Sequence, residues 1–335
     1  MQSKKTVFII ILAIIAVVAL ILFVSPPFKT SQPATPKRIG VLTASDLQLA
    51  TIEGIRAGFK EFGLTENKDF VIELRNPKGD LNLVKTMATD IVVSKPDLIV
   101  SVSTSASSAM KEADDGAKIP VVAVDVGNFA QLGVENIQHP GGFMTGVIVD
   151  NVVTAPKRME ILKTLLPKLK TVGILANPEN VSYGNVIKIY EEAAGRLGLR
   201  ALWYNVTKKE DILAAMQKMI RDDAGAFMTV NDAVISGNSN LIVPPLKQAK
   251  IPSIDFNVER GVSSGYLMVY GAARFDVGKQ GARMIYKVMQ GEKPGDIPVE
   301  FFSALTFEIN TALAREMDVK IPESLLLQAS KVYNQ

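Results

Sequence analysis

The stretch AKIPVVAVDV at 117–126 returns as AKIPSIDFNV at 249–258, and that repetition decides the fold. The copies start 132 residues apart (249 − 117). Pro120 and Pro252 share that separation, while RIGVLTAS (38–45) is echoed by TVGILANP (171–178), with Gly40 and Gly173 133 apart. Each copy closes a series of the same form. In the first, short apolar runs at 38–42, 70–76, 97–103 and 120–126 alternate with helical patterns at 49–63, 81–94 and 105–114. In the second, runs at 171–178, 201–206, 225–230 and 252–256 alternate with helical patterns at 184–198, 208–220 and about 234–250. Strands separated by helices of this length predict βαβ units and parallel sheets. The runs are nearly continuous rather than alternating, as expected where helices cover both faces.

The expected fold class is therefore α/β, with two similar doubly wound, Rossmann-like lobes joined by hinge crossings. The first lobe is expected over about 38–147 plus about 275–300, the second over about 152–270 plus about 310–335. GYLMVYG (265–271) reads as a further strand, 275–291 as a helix, 299–310 as a strand pair or one long strand, and the tail as helical. Two such lobes make a cleft. Ligands of open α/β sheets bind beyond the carboxyl ends of the strands, at helix N-termini.

Composition narrows the chemistry. The 335 residues, 47% of them hydrophobic, suffice for a large core. A net charge of +3 from 37 basic and 34 acidic residues argues against nucleic acid as a partner, because tracking phosphates needs a concentrated basic face. With one His and no Cys, thiolate metal sites, disulfides and Cys nucleophiles are excluded. No metal and no cofactor is expected. GVSSG (261–265) matches the G-x-S-x-G elbow, but it precedes a strand, and His139 lies upstream of it. A turn is the better reading, and no enzyme is expected. No P-loop is present.

The N-terminus points to location. Lys4 and Lys5 precede VFIIILAIIAVVALILFV (7–24), 18 residues without charge, Pro or Gly. This reads as an N-terminal transmembrane helix over 1–24, an uncleaved anchor rather than a cleaved signal peptide. The lysines should stay cytoplasmic, which places the rest outside. Residues 25–37 hold four prolines and read as an extended tether.

KIPVVAVDV, HPGGFMTGV (139–147) and MEILKTLLPKLKTVGILANPENVS (159–182) together resemble the ABC-transporter substrate-binding proteins of the tryptophan/tyrosine type. The resemblance continues through YGAARFDVGKQGARMIYKVMQGEKPGDIPVEF (270–301) and EINTALAREMDVKIPESLLLQAS (308–330), covering about 38–331. It implies a type I periplasmic-binding-protein fold. It also implies capture of a small, amino-acid-like solute, aromatic or branched, for an ABC permease with its separate ATPase subunit. A ligand-sensing module reporting to a separate receptor is the alternative. The departures cluster at strand ends. Thr104-Ser105-Ala106-Ser107 stands where the family has T-P-A-A, Asp125-Val126 where it has Asp-Pro, and Asn231-Asp232 inverts its Asp-Asn. The loop from Asn177 to Ser182 is one residue shorter.

The expected ligand residues sit at the two sets of strand ends. Ser103, Thr104 and Ser105 open a helix and offer hydroxyls and free N–H groups, although N-capping needs only one of them. Asp125 ends an apolar strand, where a carboxylate needs a cation or donors. An α-ammonium group would serve, as would capping of the next loop. Asn177, Ser182 and Tyr183 occupy the matching loop of the second lobe. Asn231 and Asp232 follow its third strand, and Asp255 and Asn257 its fourth. Phe129, Tyr183, Phe256 and Tyr270 are candidate aromatic walls, though core packing is the more common role for each. Tyr270-Gly271, Thr145-Gly146 and Asn310 are expected near hinge crossings.

Overall fold

The computed structural model describes residues 35–334 except 115, 117, 181 and 182, and the side chains of 81 and 233 are also left out. The anchor expected over 1–24 lies outside the described residues, as does nearly all of the tether. Among the described residues no helix is long and apolar enough to cross a membrane.

The chain from Lys37 forms one compact unit containing two sheets. The first series runs β1 (Lys37–Leu42), α1 (Leu49–Glu61), β2 (Phe70–Arg75), α2 (Leu81–Val93), β3 (Leu98–Val102), α3 (Thr104–Ala113), β4 (Val121–Val126) and β5 (Met144–Ile148). The second runs α4 (Ala155–Leu165), β6 (Thr171–Ala176), α5 (Tyr183–Arg196), β7 (Arg200–Asn205), α6 (Ile212–Arg221), β8 (Ala226–Met228), α7 (Ala233–Ser236), α8 (Ser239–Gln248), β9 (Ser253–Asp255) and β10 (Met268–Ala272). The chain then returns through α9 (Arg274–Met289) and β11 (Glu300–Phe301), and finishes with β12 (Leu305–Asn310), α10 (Thr311–Glu316), α11 (Glu323–Gln328) and β13 (Lys331–Tyr333).

The repeat holds in three dimensions. The first sheet has the order β11-β5-β4-β3-β1-β2 and the second β13-β12-β10-β9-β8-β6-β7. Numbered from the start of each series, both therefore contain the order 2-1-3-4-5. All pairings are parallel except β10 with β12. In the first lobe, α1 packs with α9 over one face and α2 with α3 over the other, giving two apolar clusters. In the second, α4 packs with α5, α6 with α8, and one apolar cluster joins the layers. Central strands are sealed on both faces, so β3 is buried at every position.

The chain passes between the sheets three times, at 149–154, at Ala273 and at 302–304. Several sequence expectations change here. Thr145-Gly146 lies inside β5 and Tyr270-Gly271 inside β10, while Asn310 ends β12 and caps α10. None of these sits on a crossing. β5 reads poorly from sequence because Pro140, Gly141, Gly142 and Gly146 mask it. The helix expected over about 234–250 is broken at Gly237-Asn238, where the Asn238 amide donates to the Val234 carbonyl. The strand expected at 265–271 begins only at Met268, because 261–265 is a turn. The tail adds β13 to its two short helices.

Candidate functional site

Strand ends of both sheets border a cavity of about 810 Å³. From the first lobe, its wall is Thr104 at the start of α3, the loop after β4 (Gly127 to Gln131, then Val134, Glu135 and Ile137) and Ile148 ending β5. The crossing 149–152 forms its floor, Asn185, Val186 and Asn231 its second-lobe side, and Phe301 its far edge. Two small cavities adjoin it through shared residues. One, about 20 Å³, is lined by Asn177, Asn180, Tyr183, Val186, Asn231 and Asp232. The other, about 40 Å³, lies at the crossings beside Asp150 and Phe302.

Thr104 and Asn231 line the main cavity, and Asn177, Tyr183, Asn231 and Asp232 line the smaller one beside it. Thr104 also has a structural task, since its Oγ1 accepts from the Gly127 N–H at 3.1 Å and ties the start of α3 to the loop after β4. Asn231 is exposed at the second-lobe rim. Asp232 is buried, accepts from the Val234 and Ile235 N–H groups as the cap of α7, and receives the Asn180 amide at 3.0 Å. The Asn177 carboxamide accepts from the Glu179 N–H in its own turn. Tyr183 donates its hydroxyl to Asn205 at 3.4 Å. Ser182 lies outside the described residues.

Of the other expected residues, only Phe129 lines the main cavity. Ser103 is the N-cap of α3, accepting from the Ala106 N–H at 3.2 Å, and its hydroxyl contacts that of Ser105. It holds φ 105°, and Asp125 on the neighbouring strand holds φ 60°. Non-glycine residues at positive φ store strain, of order 1–3 kcal/mol each, and such strain collects at functional clefts. Asp125 does require a cation, as its position suggested, but the chain supplies it. Arg274, the first residue of α9, donates Nε to Asp125 Oδ2 at 3.3 Å and Nη1 to Glu259 Oε2 at 2.7 Å. The Arg274 backbone N–H also donates to Glu259. Burial pushes the Asp125 carboxyl above the usual carboxylate range, with Arg274 opposing and Glu259 adding to the rise. An α-ammonium group is therefore not what Asp125 lacks.

Asp255 lies under the cleft rather than in it. Its Oδ1 accepts the Thr229 hydroxyl at 2.5 Å, and burial raises its carboxyl above the ordinary value. Tyr270 packs edge-on against Phe307 within the second sheet. Phe129 lines the cavity but is itself 1% exposed, and Phe256 is buried under Arg158.

Arg158 is the residue that sequence reasoning missed. It is fully buried in α4 and donates to the Thr229 carbonyl at 2.8 Å, the Asn151 carbonyl at 3.3 Å and the Tyr190 hydroxyl at 2.6 Å. It therefore pins the 149–154 crossing to the second lobe. The signal was present: Ala155, Arg158, Met159, Leu162 and Leu165 form one helical stripe, with a cation in an apolar row. Missed too were Glu135, Asp150, Asn151, Asn185 and Phe301. The polar pair Asp150-Asn151 after the apolar run 147–149 marks such a crossing.

Chemically the cavity presents amides, carboxylates and aliphatic walls, a surface suited to holding a small polar molecule. Among the described residues no group of three or more His, Asp or Glu is placed to hold a metal ion.

Comparison with known proteins agrees with this architecture. A family model described as ABC transporter substrate binding protein matches residues 39–333. A tyrosine-binding protein of Clostridioides difficile is 22% identical over 297 residues, 87% of this chain and 84% of that protein. The structure of an ABC domain in complex with L-Trp from Streptococcus pneumonia is similar with a TM-score of 0.74 and 27% identity, over 88% of this chain and 99% of that one. The ligand-free, open structure of a substrate-binding protein with adhesive properties from Clostridium difficile shares the fold, with a TM-score of 0.74 and 21% identity, over 89% and 100% of the two chains.

Proposed function

The chain belongs to the ABC transporter substrate-binding protein family, a family of solute binders rather than enzymes, and from that premise we propose that it is the extracytoplasmic solute-capturing component of an ABC importer. It takes a small amino-acid-like solute into the cleft and delivers it to a membrane permease served by a separate ATPase subunit. The observation that carries this reading is the 810 Å³ cavity bounded by the strand ends of both sheets and by a crossing between them. A ligand there touches both lobes and the hinge, so its binding energy favours closure. The relatives' names, one tyrosine-binding and one solved with L-Trp, support the amino-acid class. The apolar N-terminal run supports a membrane tether that keeps the domain at the outer face.

Thermal unfolding of the purified protein against a panel of amino acids, sugars, nucleosides and anions tests the reading. A ligand at 100 times its dissociation constant should stabilise the protein by about 2.7 kcal/mol. Asn231→Ala, at the exposed rim, should weaken that ligand by about 1 kcal/mol, the value of one hydrogen bond. A panel without any stabilising member would sink the proposal.

A further inference from the structure

We propose that the solute carries a net positive charge and seats a protonated amine or guanidinium against the carboxylates of Glu135 and Asp150. The proposal rests on the solute-binding reading of the same cavity and narrows it.

The cavity defines the site, and the charges on its walls define what it accepts. Among the described residues, no Lys, Arg or His lines the main cavity or the two that adjoin it. Glu135 and Asp150 line the main cavity, and Asp232 lines the second-lobe extension. Glu135 is exposed and makes no ion pair among the described residues. Among the described residues, Asp150 accepts one hydrogen bond, from the Val152 N–H at 2.8 Å through Oδ1, which leaves Oδ2 for a ligand.

The guanidinium groups behind the cleft are already committed. Arg274 is held between Asp125 and Glu259, a cluster with one positive and two negative charges. Arg158 is fully buried, and its terminal nitrogens donate to protein oxygens. Neither presents a free cation to an incoming carboxylate.

Closure removes water from the cleft and lowers the effective dielectric, so unpaired charge becomes costly and paired charge favourable. An anionic solute would lose its hydration and meet neutral amides and carboxylates, with no cation among the lining residues to pair it. A cationic solute would be paired at Glu135 and Asp150. The aliphatic walls Ile148, Val149, Val152 and Val186 suit the methylene stem that separates such a charge from the rest of the molecule. A basic amino acid and a polyamine-like base share this chemistry.

The test is calorimetry and thermal unfolding of the full chain with matched probes. L-lysine and L-arginine represent basic amino acids, and cadaverine and agmatine the same cations without a carboxylate. L-leucine, L-tyrosine, L-tryptophan and L-glutamate are the uncharged-side-chain and anionic comparators. The expected result is that at least one cationic probe binds tenfold or more tighter than every comparator. Glu135→Gln and Asp150→Asn should each weaken it at least tenfold, and 0.5 M salt should weaken it further. A preference for lysine or arginine over the bare amines would assign the ligand to the amino acids, the reverse to the amines, and either supports the proposal. Comparator binding as tight as cation binding would overturn the charge assignment and leave the solute-binding reading standing. So would cation binding indifferent to both substitutions. Silence with every probe, comparators included, would count against both.

Discussion

Asp255 holds its carboxylate where water barely reaches, 6% exposed at the end of β9. Burial raises its carboxyl above the usual range, against the Thr229 hydroxyl, the Phe256 and Asn257 N–H groups and nearby Arg158. The folded protein therefore keeps this proton to a higher pH than the unfolded chain does. The stability it contributes is complete below the unfolded value, about 3.9, and is lost as pH rises through the folded value. Asp255→Asn abolishes that titration. Urea midpoints from pH 4 to 7 should show the variant gaining on the wild type as pH rises. A pH-independent difference would mean that Asp255 ionises as it does in the unfolded chain. This residue also explains why the site was only half legible beforehand. Caps and ligands use the same side chains at strand ends, and only the folded contacts separate Ser103, Asp125 and Asp255, whose side chains are paired within the chain, from Asn231, which lines the cavity.

Between helices, α1 and α9 come into backbone contact. A Cβ on Gly54 would stand 1.9 Å from the Phe275 carbonyl oxygen, and one on Gly278 would stand 2.0 Å from that of Thr51. Neither obstacle is a flexible side-chain tip, so the helices themselves must separate. Gly54→Ala should destabilise the protein by about 1–3 kcal/mol, the usual range for overpacking, read as a lowered urea midpoint. An unchanged midpoint would show that the pair slides freely. Sequence periodicity could not reveal this contact, because it joins helices more than two hundred residues apart. It did reveal the strands and their order of appearance, since strands sealed on both faces leave continuous apolar runs. It failed at β13, a short strand with two of its three residues exposed, and at β5, whose glycines read as loop.

For the molecule as a whole, Arg274 is the joint at which the two lobes answer each other. It sits directly after the second crossing, with Asp125 from the first sheet on one side and Glu259, from the loop after β9, on the other. Arg274→Gln would leave two facing, largely buried carboxylates without their cation. Full burial of such a pair puts that loss at 3–5 kcal/mol. Because these side chains retain 12–23% exposure, about 1–3 kcal/mol is expected after screening. The variant should also spread its lobes, read as a larger radius of gyration by small-angle scattering. Wild-type dimensions and an unshifted urea midpoint together would remove Arg274 from any role in holding the cleft.

The three crossings have a consequence for how the protein is born. Neither lobe owns an unbroken piece of chain: α9 covers and β11 completes a sheet begun at Lys37, and β12 and β13 complete one begun at Thr171. A ribosome must deliver nearly the whole polypeptide before either core can shut. Contacts so distant in sequence slow folding, because chain entropy is spent long before they form.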